Sequence, residues 1–179
     1  MAGMTRYVAL LRGINLGAHR RVAMADLRSL LAGLGYGDVD THLQSGNAVF
    51  SAEGTRPEAV ARRVREAVDA QLGLDVPTVV RTAGQLRAAV EANPLPVPDP
   101  AKFLVLFCSG AVDAAGLAAL DPSAHPRERM AVVGEQVYTH HELGLRHARL
   151  PDLVARHVDG TVTGRNWRTV LRLLEMAEG

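Results

Sequence analysis

The pattern of apolar and polar residues in the first half of the chain predicts strands and helices in a definite order. Residues 6–12 are apolar on both faces, which is typical of a central strand, whereas residues 38–43 alternate as a half-buried strand does. Between them, leucines at i, i+3, i+4 and i+7 form the stripe of a helix that ends at Gly35. A serine-glycine turn then leads into a strand over residues 47–51, so the two later strands form a predicted hairpin.

Two capping boxes, in which side chains of the first helical turn bond backbone amides, place the next two helices. The box over Thr55–Glu58 predicts a helix up to Gly73, and the box over Thr82–Gln85 predicts a shorter helix that ends at Asn93-Pro94. Residues 76–81 read as a strand between these helices. The resulting order of strand, helix, strand, strand, helix, strand is the split βαβ pattern of ferredoxin-like domains.

After a proline-rich segment, the second half repeats the first five elements of this order: strand, helix, strand, strand, helix. Residues 93–100 have proline at every second position, which predicts an extended spacer because proline cannot join a helix or a sheet interior. A strand is predicted over 103–108, a small helix over 113–120 and a hairpin around Gly134-Glu135. Helices follow over 151–158 and from Trp167 onward.

We therefore predict an α+β fold of two tandem ferredoxin-like (split βαβ) plaits with antiparallel or mixed sheets and a C-terminal helix. No residue-level repeat is visible, so the duplication rests on topology alone. The predicted domains are a first plait over residues 1–92, a linker over 93–100, and a second plait with the C-terminal helix over 101–179.

Composition and charge narrow the class of protein. The 179 residues are 47% hydrophobic with a net charge of +1, so no strong field favours nucleic acid or an anionic membrane. Cys108 is the single cysteine, which excludes an intramolecular disulfide and a cysteine-based zinc site. The N-terminus lacks the apolar core of a signal peptide, and no run approaches the roughly 18 apolar residues of a membrane helix. These features predict a cytoplasmic protein without membrane association.

Polar residues and glycines concentrate in three stretches, Leu10–Gly17, Leu43–Asn47 and Thr163–Arg168. In a split βαβ domain, the end of the first strand, the start of the first helix and the hairpin turn lie at one end of the sheet. Arginine and unpaired helix-start amides there would bind a carboxylate or phosphate. We predict an anion site in which Arg12 is the main charge partner. The predicted ligand-binding residues are Arg12, Gly13, Asn15, Gln44, Ser45 and Asn47, with Arg165 and Asn166 from the C-terminal segment.

Structural explanations exist for the same residues. The glycines could serve turns, Asn15 and Asn47 could bond local backbone, and Arg12 could pair with an acid. Asn166 or Thr163 is well placed to cap the last helix.

The sequence gives little indication of catalysis, of a cofactor or of a metal site. No general base of suitable spacing, nucleophile elbow, Walker loop or Rossmann fingerprint is present, so no cofactor is predicted and catalytic residues stay unassigned. His140 and His141 are adjacent on a predicted strand and point to opposite faces, so they and the nearby His147 predict no metal site.

Two other functional classes remain. A nucleic-acid binder would use the sheet surface, but aromatic residues make up 4% of the chain, too few for base stacking. A protein-interaction module would use an exposed sheet edge. The oligomeric state is not predicted.

The same three stretches resemble an uncharacterised, mainly bacterial family, domain of unknown function 1697. The resemblance spans nearly the whole chain and rests on Leu10–Asn15, Leu43–Asn47 with Val49-Phe50, and Arg165–Trp167 with Thr169-Val170. It implies an α+β structure of two ferredoxin-like plaits and no reaction. The chain has His147 where the family usually has a serine after Gly-x-Arg, and Gly164 where it often has Thr or Ala.

Overall fold

The structure of the protein, a computed structural model, describes residues 3–179. It divides into two units, one reaching Arg87 and including Leu173–Gly179, the other comprising Ala88–Arg172. The predicted division at residues 93–100 stays a prediction. Within the described residues, no helix combines the length and apolar character needed to span a membrane.

The first unit contains a four-stranded antiparallel sheet in the order β2-β3-β1-β4. Its helices follow β1, β3 and β4, in the order that the sequence predicts. The elements are β1 (Met4–Leu11), α1 (Met24–Gly33), β2 (Gly37–His42), β3 (Asn47–Glu53), α2 (Pro57–Leu72), β4 (Thr78–Thr82) and α3 (Ala83–Glu91), the last extending past the unit boundary.

One large hydrophobic cluster of this unit lies on the face of the sheet that α1 and α2 cover. Tyr7, Ala9 and Leu11 alternate along β1 and are buried, and they belong to one cluster with the apolar stripes of α1 and α2. Leu27 and Leu31 of α1 are fully buried in it, each contributing about 1.5–3 kcal/mol of hydrophobic stabilisation. The apolar residues at every second position of the strand thus pack in one cluster with the apolar stripes of the helices, which repeat about every 3.6 residues.

The two predicted capping boxes have different outcomes. Thr82 and Gln85 form the box as predicted, each side chain bonding the other's backbone amide at 3.0 Å. The box at Thr55 is wrong, because α2 begins one residue later with Arg56 as an N-cap that makes no side-chain bond. The backbone amide of Thr55 instead donates to the Tyr7 hydroxyl at 2.8 Å, and that hydroxyl donates to the Thr55 carbonyl. A long-range tyrosine contact therefore replaces the local cap.

The second unit contains another four-stranded antiparallel sheet, in the order β6-β7-β5-β8. Cys108 is buried in its core, as its apolar strand predicts. The elements are β5 (Phe103–Cys108), α4 (Ala114–Ala118), β6 (Glu128–Val133), β7 (Gln136–His141), α5 (Leu150–Ala155), β8 (Val162–Asn166) and α6 (Trp167–Glu178), the last again extending past the unit boundary. An α+β fold with antiparallel sheets and a C-terminal helix is thus confirmed.

Strand β8 was not predicted. Its residues pair with β5 from Leu104↔Asn166 to Cys108↔Val162, and α6 follows without a loop. Gly164 hides the strand in the sequence because glycine is unfavourable in strands, yet a Cβ at this position would lie 2.9 Å from Leu106 Cδ2. The β-branched residues just before Gly164 were the available signal.

Gly46 is required by both its backbone and its neighbours, and Gly13 by its backbone alone. Gly46 has φ +88°, and a Cβ there would lie 2.8 Å from Leu11 Cβ and 3.0 Å from Ile14 Cδ1. Gly13 has φ +70° with open space around it.

We expect Gly13→Ala to cost about 1–2 kcal/mol of unfolding free energy, because alanine is strained in the left-handed backbone conformation. Gly46→Ala should cost about 1–3 kcal/mol more from overpacking.

Urea unfolding of both variants measures this difference directly. Equal losses for the two variants would show that the contact of Gly46 with Leu11 and Ile14 is not tight.

Candidate functional site

Three backbone segments meet at one end of the first sheet. Leu10 stands opposite Asn47 in the β1–β3 register, and the amide of Leu11 donates to the Gly46 carbonyl at 2.9 Å. The next amide, that of Arg12, donates to the Pro77 carbonyl at 2.9 Å, just before β4. The structure therefore brings the loop after β1 next to the β2–β3 turn, which is the juxtaposition that the topology predicts.

Asn15 holds the loop closed. Its side-chain amide donates to the carbonyls of Val22 at 2.8 Å and Gln44 at 2.6 Å, while its Oδ1 accepts from the Val22 amide at 2.9 Å. Its backbone amide donates to the Arg20 carbonyl at 3.1 Å, and its φ of 56° is one that asparagine tolerates. Both functional atoms of this side chain are thus occupied by backbone of the loop and of the neighbouring turn.

The β2–β3 turn is organised by Asn47, which is fully buried. Its Nδ2 donates to the His42 carbonyl at 2.9 Å and to Ser45 Oγ at 3.0 Å. Gln44 and Ser45 lie at the exposed tip of this turn. Asn47 therefore shapes the turn, and the residues that it positions are the ones that reach the surface.

The loop after β1 is cationic. Arg20 is anchored, because its guanidinium donates to the Asp75 carbonyl at 2.8 Å and to the Gly13 carbonyl at 3.2 Å. Arg12 and Arg21 are exposed, and the guanidinium of Arg12 makes no hydrogen bond or ion pair with any residue that the structure describes. An ion pair of Arg12 with an acid is thus not observed. The sequence from Arg12 to Ala25 contains no acid that would neutralise this charge.

The first turn of α1 adds backbone donors near this loop. Ala23 is its N-cap and supplies no side-chain acceptor, so the first-turn amides lack side-chain capping from it. Asp26 lies in the same turn, where its negative charge interacts favourably with the positive end of the helix dipole. The predicted contribution of these amides is therefore partly balanced by a nearby carboxylate.

The two predicted residues from the C-terminal segment lie in the second unit. The guanidinium of Arg165, buried on β8, donates to Thr163 Oγ1 at 2.8 Å and to the Gly164 carbonyl at 2.9 Å. Burial lowers the pKa of Arg165 to about 10, so this side chain is still protonated at neutral pH. Asn166 Oδ1 accepts from the Thr169 amide at 2.9 Å, which confirms the predicted cap of α6.

A buried polar chain in the second unit was missed by sequence reasoning. His141 Nδ1 lies 2.7 Å from Glu128 Oε1, and its Nε2 lies 2.7 Å from Thr139 Oγ1. The order of acid, imidazole and hydroxyl is that of a hydrolase triad, but Thr139 is fully buried and cannot reach a substrate. The available signal was the hairpin register around Gly134-Glu135, which places Glu128 opposite His141.

Metal ligation finds no candidate in the described part of the chain, where no group of three or more His, Cys, Asp or Glu side chains could hold an ion. His140 and His141 occupy opposite faces of β7 as strand geometry predicts. His141 is buried on Glu128, and the His140 ring lies 6.4 Å from that of Phe103.

Comparison with known proteins identifies a family but no activity. Residues 4–138 match the family model described as a protein of unknown function (DUF1697). A solved structure of the conserved bacterial protein SP0830 from Streptococcus pneumoniae is similar, with a TM-score of 0.74 and 23% sequence identity over 98% of this chain and 99% of that one. At that identity the likeness concerns the fold alone. No curated protein matches the chain.

Asn15 offers a test of how the loop is held. We expect Asn15→Gly to cost about 1–3 kcal/mol of unfolding free energy, because the bonds to Val22 and Gln44 are lost while the positive φ is tolerated. Asn15→Ala should cost about 1–2 kcal/mol more through left-handed strain. Urea unfolding measures both values. If neither variant loses stability, the side chain of Asn15 does not hold the loop.

His141 predicts a dependence of stability on pH. Burial lowers the pKa of His141 below its ordinary 6.5, an effect that the hydrogen bond to Glu128 only partly offsets. The unfolded chain therefore binds this proton more readily, and stability should fall as the pH drops below about 6.5 towards the folded-state pKa. Each unit of pKa difference corresponds to about 1.4 kcal/mol.

Urea unfolding between pH 7.5 and 5.0 checks this expectation. His141→Gln should flatten the fall, whereas His19→Gln, a matched change at an exposed loop position, should keep it. If the stability of His141→Gln falls by as much as that of the wild-type protein over this pH range, the pH dependence arises from other groups.

Proposed function

Because the chain belongs to the DUF1697 family, whose description names no activity, we propose a function from geometry: the loop after β1 binds a small carboxylate or phosphate through Arg12. The observation that carries the proposal is the exposed Arg12 guanidinium, which has no partner among the described residues and lies at the base of a loop whose backbone is fixed. Guanidinium groups bind carboxylates and phosphates through paired N–H donors, which makes this side chain a suitable anchor.

The surroundings of Arg12 support an anionic ligand over a cationic one. Arg21 is also exposed, and no acid lies between Arg12 and Ala25. Asp75, near the anchored Arg20, is engaged by Arg65 at 2.5 and 2.8 Å, so its charge is compensated. This pairing with Arg65 also lowers the pKa of Asp75. The local field is therefore positive although the net charge of the chain is only +1.

The rigidity of the loop supports binding by preorganisation. Asn15 and Asn47 are committed to backbone groups, so in this proposal they position the loop and the turn without touching the ligand. Gln44 and Ser45, exposed on the adjacent turn, are the polar groups that would orient an anion held by Arg12. A loop that is already ordered loses less conformational entropy when it binds, which favours affinity.

The fold and cellular context belong to the same proposal. Each sheet has the strand order and helix placement of the split βαβ pattern, so we infer two ferredoxin-like plaits. A cytoplasmic location suits a chain whose one cysteine, Cys108, is buried in an apolar strand. Catalysis is not part of the proposal.

A thermal-shift experiment tests the anion site. Sodium phosphate and citrate are titrated against chloride at constant ionic strength, and bound anion should raise the melting temperature. At one hundred times Kd the stabilisation is about 2.7 kcal/mol. Arg12→Gln should abolish the shift, whereas Arg62→Gln, which removes an exposed charge from α2, should preserve it.

Two results would contradict the proposal. Equal shifts in wild type and Arg12→Gln would show that the anion binds elsewhere. The absence of any shift in the wild-type protein with either anion would show that the loop has no such affinity.

A further inference from the structure

A cavity of about 220 Å³ lies in the second unit, and none of the residues proposed for the anion site lines it. It is bounded by the end of α4, the turn over residues 121–125, the edge strand β6 and the first residue of α5. Leu117, Leu120, Met130 and Leu150 make most of its wall apolar. Two carboxylates, those of Glu128 and the exposed Asp121, line it together with the imidazole of His125.

The two oxygens of Glu128 have different environments. Oε1 accepts from the Arg149 amide at 2.7 Å and contacts His141 Nδ1 at 2.7 Å, so it is fully used in joining β6 to β7 and to the start of α5. Oε2 is shielded from solvent and has no hydrogen-bond partner among the described residues. His125 Nδ1 lies 3.6 Å from this oxygen, beyond normal hydrogen-bond length.

Such an oxygen is unusual in a folded protein. The Glu128 side chain is only 10% exposed, and a buried carboxylate oxygen that lacks a donor is costly. The apolar residues around it supply no donor. The cavity therefore presents one unmet requirement, for a positively charged or strongly donating group at Oε2.

We propose that this cavity binds a small protonated primary amine, whose ammonium group donates to Glu128 Oε2 and whose apolar body contacts Leu117, Leu120 and Met130. An ammonium group has three donors, so a second one can reach His125 Nδ1 when that imidazole is neutral. Apolar cavities of about 150 Å³ accept benzene, so the present volume suits a body of five or six carbons. Anions are excluded by the carboxylate itself.

The proposal is independent of the anion site, because it concerns other residues and ligands of opposite charge. The probes are cyclohexylamine, which is protonated at pH 8, and cyclohexanol, a neutral compound of the same shape. Binding to the full-length protein is followed by two-dimensional amide NMR at pH 8. We expect cyclohexylamine to shift the amide signals of Leu117, Glu128 and Met130 at millimolar concentration, and cyclohexanol to bind at least tenfold more weakly.

Two variants and two controls make the result specific. Glu128→Gln retains an oxygen for Arg149 and His141 but places an NH2 donor at the Oε2 position, so it should weaken amine binding at least tenfold. Ala118→Leu fills the cavity from an exposed helical position without altering the carboxylate, and it should weaken binding similarly. Glu66→Gln on α2 and Ala119→Leu, next to Ala118 but outside the lining, should leave binding unchanged.

Several outcomes would overturn the inference. Equal affinity for the amine and the alcohol would show that the charge of Glu128 does not contribute to binding. Amine binding that persists in Ala118→Leu, a variant whose fold the amide spectrum itself verifies, would place the amine elsewhere. If neither probe shifts any signal of the cavity residues, the cavity does not take a ligand of this class.

Discussion

The antiparallel pairing of β1 with β3 is the constraint on which the first unit depends. It places Leu10 opposite Asn47 and sets Gly46 against Leu11, so closely that no side chain fits at Gly46. A one-residue slip would turn every core residue of β1 to the other face of the sheet. It would also separate Asn15 from the Gln44 carbonyl, and the loop after β1 would lose its attachment to the turn. The hydrophobic register and the loop geometry are therefore consequences of the same pairing.

Several polar side chains of this protein form hydrogen bonds that serve its structure. Asn15, which is half-buried, and Asn47, which is fully buried, bond their side-chain amides to backbone carbonyls, and in doing so they fix a loop and a turn. The Arg12 guanidinium and Glu128 Oε2 form no such bond within the described residues. The former is exposed and its charge is met by water, whereas the latter is shielded from water and from donors. The two proposed sites therefore rest on groups of opposite charge, one exposed to solvent and one buried.

The sequence predicts most of the elements because hydrophobic periodicity is local and strong here. The stripe of α1, the strand β5 and the Thr82 capping box all follow from residues within one or two turns of each other. The failures have long-range causes. Thr55 does not cap α2, because its backbone amide donates instead to the hydroxyl of Tyr7, which is 48 residues away in the chain. Strand β8 exists because β5 pairs with it across Gly164, and the Glu128–His141 contact exists because of the hairpin register. In each case the partner lies on another strand or loop, 13 or more residues away in the chain.

The topology of the first unit recurs in the second, but the chemistry of its sheet end does not. The amide of Cys108 donates to the Glu135 carbonyl at 2.9 Å, as the amide of Leu11 does to the Gly46 carbonyl, so the closing bond of strand and turn is the same. The residue after the strand is then Ser109 where the first unit has Arg12, and the turn offers the acid Glu135. A close backbone contact follows, since a Cβ on Gly110 would meet the Asp159 carbonyl. At the second sheet end, backbone thus fills the space beside Gly110 and Ser109 stands in place of the arginine, so the exposed cation of the first unit is a feature of its side chains, not of the fold.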